Sequence, residues 1–148
     1  MTYFVQWQEE YALAHPVIDE QHQMLFLLAN RLFGIVEESG QRAKLQDLFT
    51  ELFAYTQKHF QEEELIWQPL EDSLRQRHRS KHRELKNSLQ EIWSKDSIFT
   101  TSDTLYWLQG WIQELLEHIT QFDRSMYQQL LVSSSVADAQ HPVGTMPV

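Results

Sequence analysis

Apolar residues recur three and four positions apart along four long stretches of this chain, which is the spacing of one helix face. In the second stretch, for example, Leu45, Leu48 and Leu52 fall on one stripe. Polar and turn-forming residues border each stretch. The pattern predicts four helices, which run from about Ile18 or Asp19 to Glu38, from Gln41 to Ile66, from Leu70 to Lys95, and from the polar stretch Thr100–Asp103 to about Val132.

The two ends of the chain lack this spacing. We expect residues 1–17 to form an N-terminal arm that packs on the helices through its aromatic side chains, Tyr3, Phe4, Trp7 and Tyr11. Residues 133–148 predict a flexible C-terminal tail. Four helices with short connections favour one all-α domain over residues 1–132, an up-down-up-down four-helix bundle.

Histidines and carboxylates interrupt the apolar stripes in a repeated pattern. Members of a pair lie four or five residues apart, close to one helical turn, so both side chains can share one helix face. The pairs are His59 with Glu63, His78 with His82 and His118 with Asp123, and His22 lies near the start of the first helix. In an antiparallel bundle these positions fall within roughly 5–20 Å of the same end. The sequence therefore predicts one cluster of seven metal donors.

The donor types limit the chemistry of this cluster. Imidazole and carboxylate together suit iron, zinc or manganese, and two such ions with about six ligands each need roughly twelve donor positions. Five histidines, two bridging carboxylates and one bridging oxide or hydroxide leave a single position open. That position belongs to the ion with two histidines, where a small ligand such as dioxygen would bind.

These residues resemble the motifs of the hemerythrin family, specifically its bacterial branch. The matching segments are Asp19-Glu-Gln-His22 followed by Leu25-Phe26, His59-Phe-Gln-Glu-Glu63, His78-x-x-x-His82 and His118-x-x-x-x-Asp123. The aromatic arm is also similar, so the resemblance covers about residues 1–132. It implies an oxo- or hydroxo-bridged pair of irons that binds dioxygen reversibly. The implied ligands are His78, His82 and His118 for one iron, His22 and His59 for the other, and Glu63 and Asp123 as bridges.

The donor set favours an oxygen carrier over an enzyme. Di-iron oxidases on four-helix bundles use mostly carboxylates, with Glu-x-x-His pairs. Carboxylates stabilise highly oxidised iron and favour breaking the O–O bond, whereas this cluster has five neutral nitrogens. We therefore expect no enzymatic activity, and reversible carriage, storage or delivery of dioxygen. A di-iron oxidase or peroxidase, and a dioxygen or redox sensor that acts through a partner protein, are the alternatives.

Apolar residues next to the donors predict the lining of the open position. Leu25 and Phe26 follow His22 by one turn, and Leu115 and Ile119 flank His118. An apolar pocket formed by these four residues would keep water and protons away from bound dioxygen.

Composition narrows the possible binding partners and the cellular location of the protein. The net charge of −9 without a basic cluster argues against nucleic acid as a partner. No stretch is apolar enough for membrane insertion, and the N-terminus has no signal-peptide pattern, which predicts a cytoplasmic protein. The chain has no cysteine, so any metal must be held by nitrogen and oxygen. Besides dioxygen, an oxygen-accepting protein is a possible partner.

Several residues near the donors have simpler expected roles. Asp19 is expected to cap the first helix, His15 to be exposed, and Glu62 and Glu64 to be solvated. Gly110, inside the fourth helix, is expected to mark a close helix crossing.

Overall fold

The computed structural model describes residues 4–38, 42–94 and 101–140, and within these ranges it contains helices and no strands. The elements are a 3-10 turn (Glu9–Tyr11), α1 (Pro16–Glu38), α2 (Arg42–Ile66), α3 (Asp72–Ser94), α4 (Thr101–Glu117), a π-helical segment (His118–Asp123) and α5 (Arg124–Gln140). The prediction of an all-α fold is confirmed. None of the helices in the described ranges is both long enough and apolar enough to cross a bilayer.

The helices form a closed four-helix bundle, as predicted. α1 packs against α2, α2 against α3, α3 against α4, and α4 returns to α1. Because short connections join successive helices, neighbours run antiparallel. The shared core contains residues from every helix, including Leu32, Phe49, Leu89 and Leu108, each at most 1% exposed. Burial of these apolar side chains is the main free-energy term that holds the bundle together.

The N-terminal arm lies on α1 and is tied there by polar and aromatic contacts. The Val5 backbone N–H donates to Asn30 Oδ1 at 2.9 Å, and Asn30 Nδ2 donates back to the Val5 carbonyl at 2.7 Å. The Phe4 ring stacks on Phe33 with ring centroids 4.5 Å apart. The 3-10 turn of the arm also packs on the π segment. The arm therefore bridges two of the helical segments that carry donor residues.

The start of α1 differs from the expectation for its polar residues. The Ile18 backbone N–H donates to His15 Nδ1 at 3.3 Å, so His15 supplies the side-chain cap of this helix. Asp19 instead accepts a hydrogen bond from the Leu13 backbone N–H at 2.9 Å, across the turn at Ala14, which has a φ of 59°. Both side chains thus fix the angle at which the arm enters the helix.

The last helix extends further than the sequence indicated. α5 ends at Gln140, so residues 133–140, which were predicted as part of a flexible tail, are helical. Several predictions lie outside the described residues: those for Tyr3, for the helix bounds at Gln41, Lys95 and Thr100, and for the tail residues 141–148.

Gly110 does not mark a close helix crossing, contrary to expectation. An added Cβ at this position would meet no heavy atom within 4 Å, and the residue is exposed. The glycine therefore weakens α4 by its backbone freedom without any packing gain in this conformation.

We expect Gly110→Ala to raise the free energy of unfolding by about 0.5–1 kcal/mol, because alanine loses less backbone entropy in a helix. Urea unfolding followed by circular dichroism, at fixed metal content, measures this change. As a comparison, Leu108→Ala removes a fully buried side chain two residues earlier and should cost about 2–5 kcal/mol. A destabilised Gly110→Ala protein would mean that the space at this position is not free.

Candidate metal centre

The π-helical segment between α4 and α5 carries two of the seven donors. His118 and Asp123 are five residues apart, and at 100° per residue an α-helix would place them on different faces, so the expectation that regular helical spacing brings this pair together is wrong. In the structure the Arg124 backbone N–H contacts the Ile119 carbonyl, a bond from residue i to i−5. This wider turn is the π geometry, which brings residues five apart onto one face. As a result, His118 Nε2 lies 3.1 Å from Asp123 Oδ1.

The other donors come from regular helices, and the structure brings all seven together. His22 is on α1, His59 and Glu63 on α2, and His78 and His82 on α3, each pair one helical turn apart. Every one of the seven side chains belongs to a residue that is at most 3% exposed. They form two overlapping donor groups, each with its ligand atoms within 4.8 Å of one another: Glu63, His78, His82, His118 and Asp123, and then His22, His59 and Glu63.

The larger group surrounds one oxygen of each carboxylate. Glu63 Oε1 lies 3.3 Å from His82 Nε2 and 4.0 Å from His78 Nε2. Asp123 Oδ1 lies 2.7 Å from His78 Nε2, and the Nε2 atoms of His78 and His118 are 3.1 Å apart. Three imidazole nitrogens and two carboxylate oxygens therefore point at one small volume.

The smaller group faces the remaining oxygens of the same two carboxylates. Glu63 Oε2 lies 3.3 Å from His59 Nε2 and 3.7 Å from His22 Nε2. Asp123 Oδ2 lies 3.4 Å from His22 Nε2. Each carboxylate thus divides its two oxygens between the two histidine groups, which is the arrangement that a pair of bridged metal ions requires.

Hydrogen bonds among the described residues do not satisfy this cluster. Four buried ligand atoms have no hydrogen-bond partner among the described residues, namely His22 Nε2, Glu63 Oε1, His82 Nε2 and Asp123 Oδ2. Buried polar atoms without partners are rare and need a specific cause. Metal ions would satisfy all four atoms, and the nitrogen and oxygen donors suit iron, zinc or manganese. The residues present therefore fit a metal centre.

The electrostatics of the cluster keep its carboxylates ionised. Burial would raise the pKa of Glu63 and of Asp123, but the surrounding imidazoles outweigh burial and hold both pKa values below their ordinary range. Burial would lower the pKa of His22, yet contacts with the carboxylates of Asp123 and Glu63 raise it to about 9. Without metal, the cluster therefore retains a proton that a cation must displace.

Gln21 and Glu62 orient a histidine on the two-histidine side, a role that the sequence analysis did not assign. The Nδ1–H of His59 donates to Gln21 Oε1 at 2.6 Å, and Gln21 Nε2 donates to Glu62 Oε2. With its proton on Nδ1, His59 keeps a lone pair on Nε2 for the centre. The expectation that Glu62 is merely solvated is therefore wrong.

On the three-histidine side, Glu64 has the matching role. Its Oε1 accepts from His82 Nδ1 at 3.4 Å and lies 3.8 Å from Arg79 Nε. The expected solvated role of Glu64 is therefore also incomplete. Aromatic rings hold the same imidazoles in place, since Phe60 stacks on His82 at 3.8 Å and Trp67 contacts His78 at 3.8 Å between ring centroids.

Tyr127, on α5, is a second contact that the sequence analysis missed. Its hydroxyl donates to Glu63 Oε2 at 3.4 Å, and the residue is 5% exposed. Burial and the negative charges of Glu63 and Asp123 raise the pKa of Tyr127, so the hydroxyl keeps its proton. The position of Tyr127, four residues after Asp123, was the available signal, because residues four apart share a helix face.

The four residues predicted to line a dioxygen pocket are all buried. Leu25 and Ile119 have no exposed surface, Leu115 is 1% exposed and Phe26 is 3% exposed. They belong to the main apolar core, and Phe26 also contacts Trp7 of the arm at 5.6 Å between ring centroids. Their role toward dioxygen stays a prediction.

Comparison with known proteins agrees with this geometry. Residues 14–130 match the family model for the hemerythrin HHE cation binding domain. The chain is also 33% identical over 61 residues to a bacteriohemerythrin of Clostridium acetobutylicum, a match that covers 39% of this chain and 47% of that protein. The chain thus spans about half the length of this curated relative.

We expect Gln21→Ala to weaken metal binding about 10- to 100-fold, the usual effect of removing a partner that orients a metal-bound histidine. Competition for ferrous iron against a chelator of known affinity, without air, measures the change. Gln23→Ala is the matched control, because Gln23 is exposed and lies two residues further along the same helix. Equal affinities of the two variants would remove Gln21 from the support of the centre.

Proposed function

Because the chain belongs to the hemerythrin family, we propose that it binds dioxygen reversibly at a non-haem di-iron centre. Carriage, storage or delivery of dioxygen would be the resulting role. The observation that carries this proposal is the division of each carboxylate between two histidine groups. A mononuclear site would not need both oxygens of two carboxylates to face different sets of imidazoles.

The geometry supports specific ligand roles. His78, His82 and His118 would hold one iron, His22 and His59 the other, and Glu63 and Asp123 would bridge them. An oxide or hydroxide would complete the bridge. The three-histidine side offers five donor atoms and the two-histidine side offers four. The open position therefore belongs to the two-histidine side, where we place dioxygen.

Reversible binding needs metal ions that exchange electrons with dioxygen, and a pocket that protects the bound dioxygen from water. When bound, the irons supply electrons to dioxygen and recover them when it leaves. The protein supplies a dry pocket, for which buried Leu25, Phe26, Leu115 and Ile119 are the candidates. Tyr127 keeps its proton on the hydroxyl and donates it in a hydrogen bond to Glu63, so it holds the carboxylate in position.

A di-iron oxidase is the second candidate, and one surface feature favours it. An apolar groove of about 530 Å³ lies between the end of the arm, the α2–α3 connection and α5, and Tyr127 forms part of its wall. A small apolar substrate in this groove would lie near Glu63.

An oxygen carrier and an oxidase differ in whether the colour change that dioxygen causes can be reversed. We expect the anaerobically reduced, iron-loaded protein to develop a visible charge-transfer band with dioxygen, and to lose this band under vacuum over repeated cycles. Iron analysis should give two ions per chain. Irreversible bleaching with product formation from an added substrate would instead identify an oxidase. As a matched pair, Glu63→Gln should lose iron and the band, while Glu51→Gln, on the exposed face of the same helix, should retain both.

We expect Leu115→Ala to speed conversion of the oxygenated protein to the ferric form by about tenfold, equivalent to ~1.4 kcal/mol of barrier, because water enters the space that the side chain leaves. The decay of the visible band in air measures this rate. Leu108→Ala also removes a buried leucine from α4, but about 10 Å further along the helix. Similar rates in the two variants would exclude Leu115 from the oxygen pocket.

A further inference from the structure

An acidic cleft of about 370 Å³ opens between α3 and α4 on the outside of the three-histidine group. Its polar wall carries three exposed glutamates, Glu84, Glu114 and Glu117, and one lysine, Lys81. Lys81 Nζ lies 3.5 Å from Glu84 Oε2 and 5.2 Å from the centre of the Phe122 ring. Three carboxylates against one ammonium group make the cleft attractive to cations.

His118 connects this cleft to the metal centre. The residue is only 3% exposed, yet it forms part of the cleft wall. On the inner side, Nε2 lies 3.1 Å from Asp123 Oδ1 and 3.1 Å from His78 Nε2. The other ring nitrogen, Nδ1, is buried and has no hydrogen-bond partner among the described residues. One residue therefore belongs both to the wall of the acidic cleft and to the donor cluster.

Neighbouring side chains cover the Nδ1 atoms of two other ligand imidazoles. Gln21 and then Glu62 cover Nδ1 of His59, and Glu64 covers Nδ1 of His82. His22 also has an unpaired Nδ1, but its side chain has no exposed surface. Among these imidazoles, that of His118 has an unpaired Nδ1 and also belongs to a residue of the cleft wall.

We propose that the cleft between α3 and α4 captures ferrous iron and passes it to the di-iron centre past His118. This inference rests on the proposed function, because it assumes that the buried cluster holds iron. Glu84, Glu114 and Glu117 attract the hydrated cation, since oxygen donors suit an ion that still carries water. His118 borders the cleft and belongs to the centre, so the ion would pass beside this residue. The positive charge of Lys81 repels the incoming cation.

The test compares rates of iron uptake by metal-free protein. Wild type and variants are mixed with ferrous ammonium sulfate without air, and unbound iron is trapped at set times with a chromogenic chelator. The triple variant Glu84→Gln, Glu114→Gln, Glu117→Gln should take up iron about tenfold more slowly at low ionic strength, and salt should narrow the difference. The final iron content should stay at two ions per chain.

Two matched controls separate the cleft from the overall charge. The triple variant Glu9→Gln, Glu51→Gln, Glu71→Gln alters three exposed glutamates on other faces and changes the net charge equally, so its uptake should remain close to wild type. Lys81→Gln should accelerate uptake, whereas Lys44→Gln, at an exposed site on α2, should have little effect.

The outcomes distinguish failure of the entry route from failure of the di-iron proposal. Equal rates in the two triple variants, with two irons bound, would overturn the entry route and leave the di-iron proposal standing. A lower final iron content in the cleft variant would also overturn the entry route, because the glutamates would then act on the bound metal. A wild-type protein that does not hold two irons would overturn both proposals.

Discussion

Two ionised carboxylates are buried inside the bundle, and the arrangement of the donor residues depends on them. Glu63 has no exposed surface and Asp123 is 1% exposed. Burying such a charge costs several kcal/mol per ion unless opposite charge and hydrogen bonds offset it. The imidazoles offset part of this cost, but Glu63 Oε1 and Asp123 Oδ2 remain without partners in the described part of the chain. The buried charges of this bundle are fully compensated only when cations are bound, so metal binding and folding are coupled.

The convergence of most donor residues could be predicted from the sequence, because residues one turn apart lie on the same face of a regular helix. The pairs on α2 and α3 needed only regular helices to converge. The pair His118 and Asp123 needed a π turn, for which its five-residue spacing was the only sign. Glu62 and Glu64 were misjudged for a different reason. They point away from the centre on their own helix, and only the packing of α1 and α3 beside α2 brings Gln21 and His82 within their reach.

The ends and exposed faces of the helices were harder to predict than the core, because few neighbouring residues constrain them. The sequence placed an end near Val132, where apolar periodicity fades, yet the backbone continues as helix to Gln140. Likewise Gly110 suggested a close contact, but the facing surface is open. Local sequence determines which residues can share a face, whereas neighbouring elements determine which faces meet. Exposed positions have few neighbours, so their structure depends on weak local preferences.

The two sides of the centre also differ in what surrounds them, and this difference matches two incompatible requirements. Dioxygen is apolar and its adduct survives longest without water, so the proposed function favours apolar side chains such as buried Leu25 and Phe26, one turn after His22. Ferrous iron is a hydrated cation that needs charge and polar ligands until it reaches its site. Glu84, Glu114 and Glu117 lie outside His118, on the face of the bundle formed by α3 and α4. If iron enters by the proposed route, metal loading would leave Leu25 and Phe26 undisturbed, so the protein would not need to admit water beside His22 in order to acquire its metal.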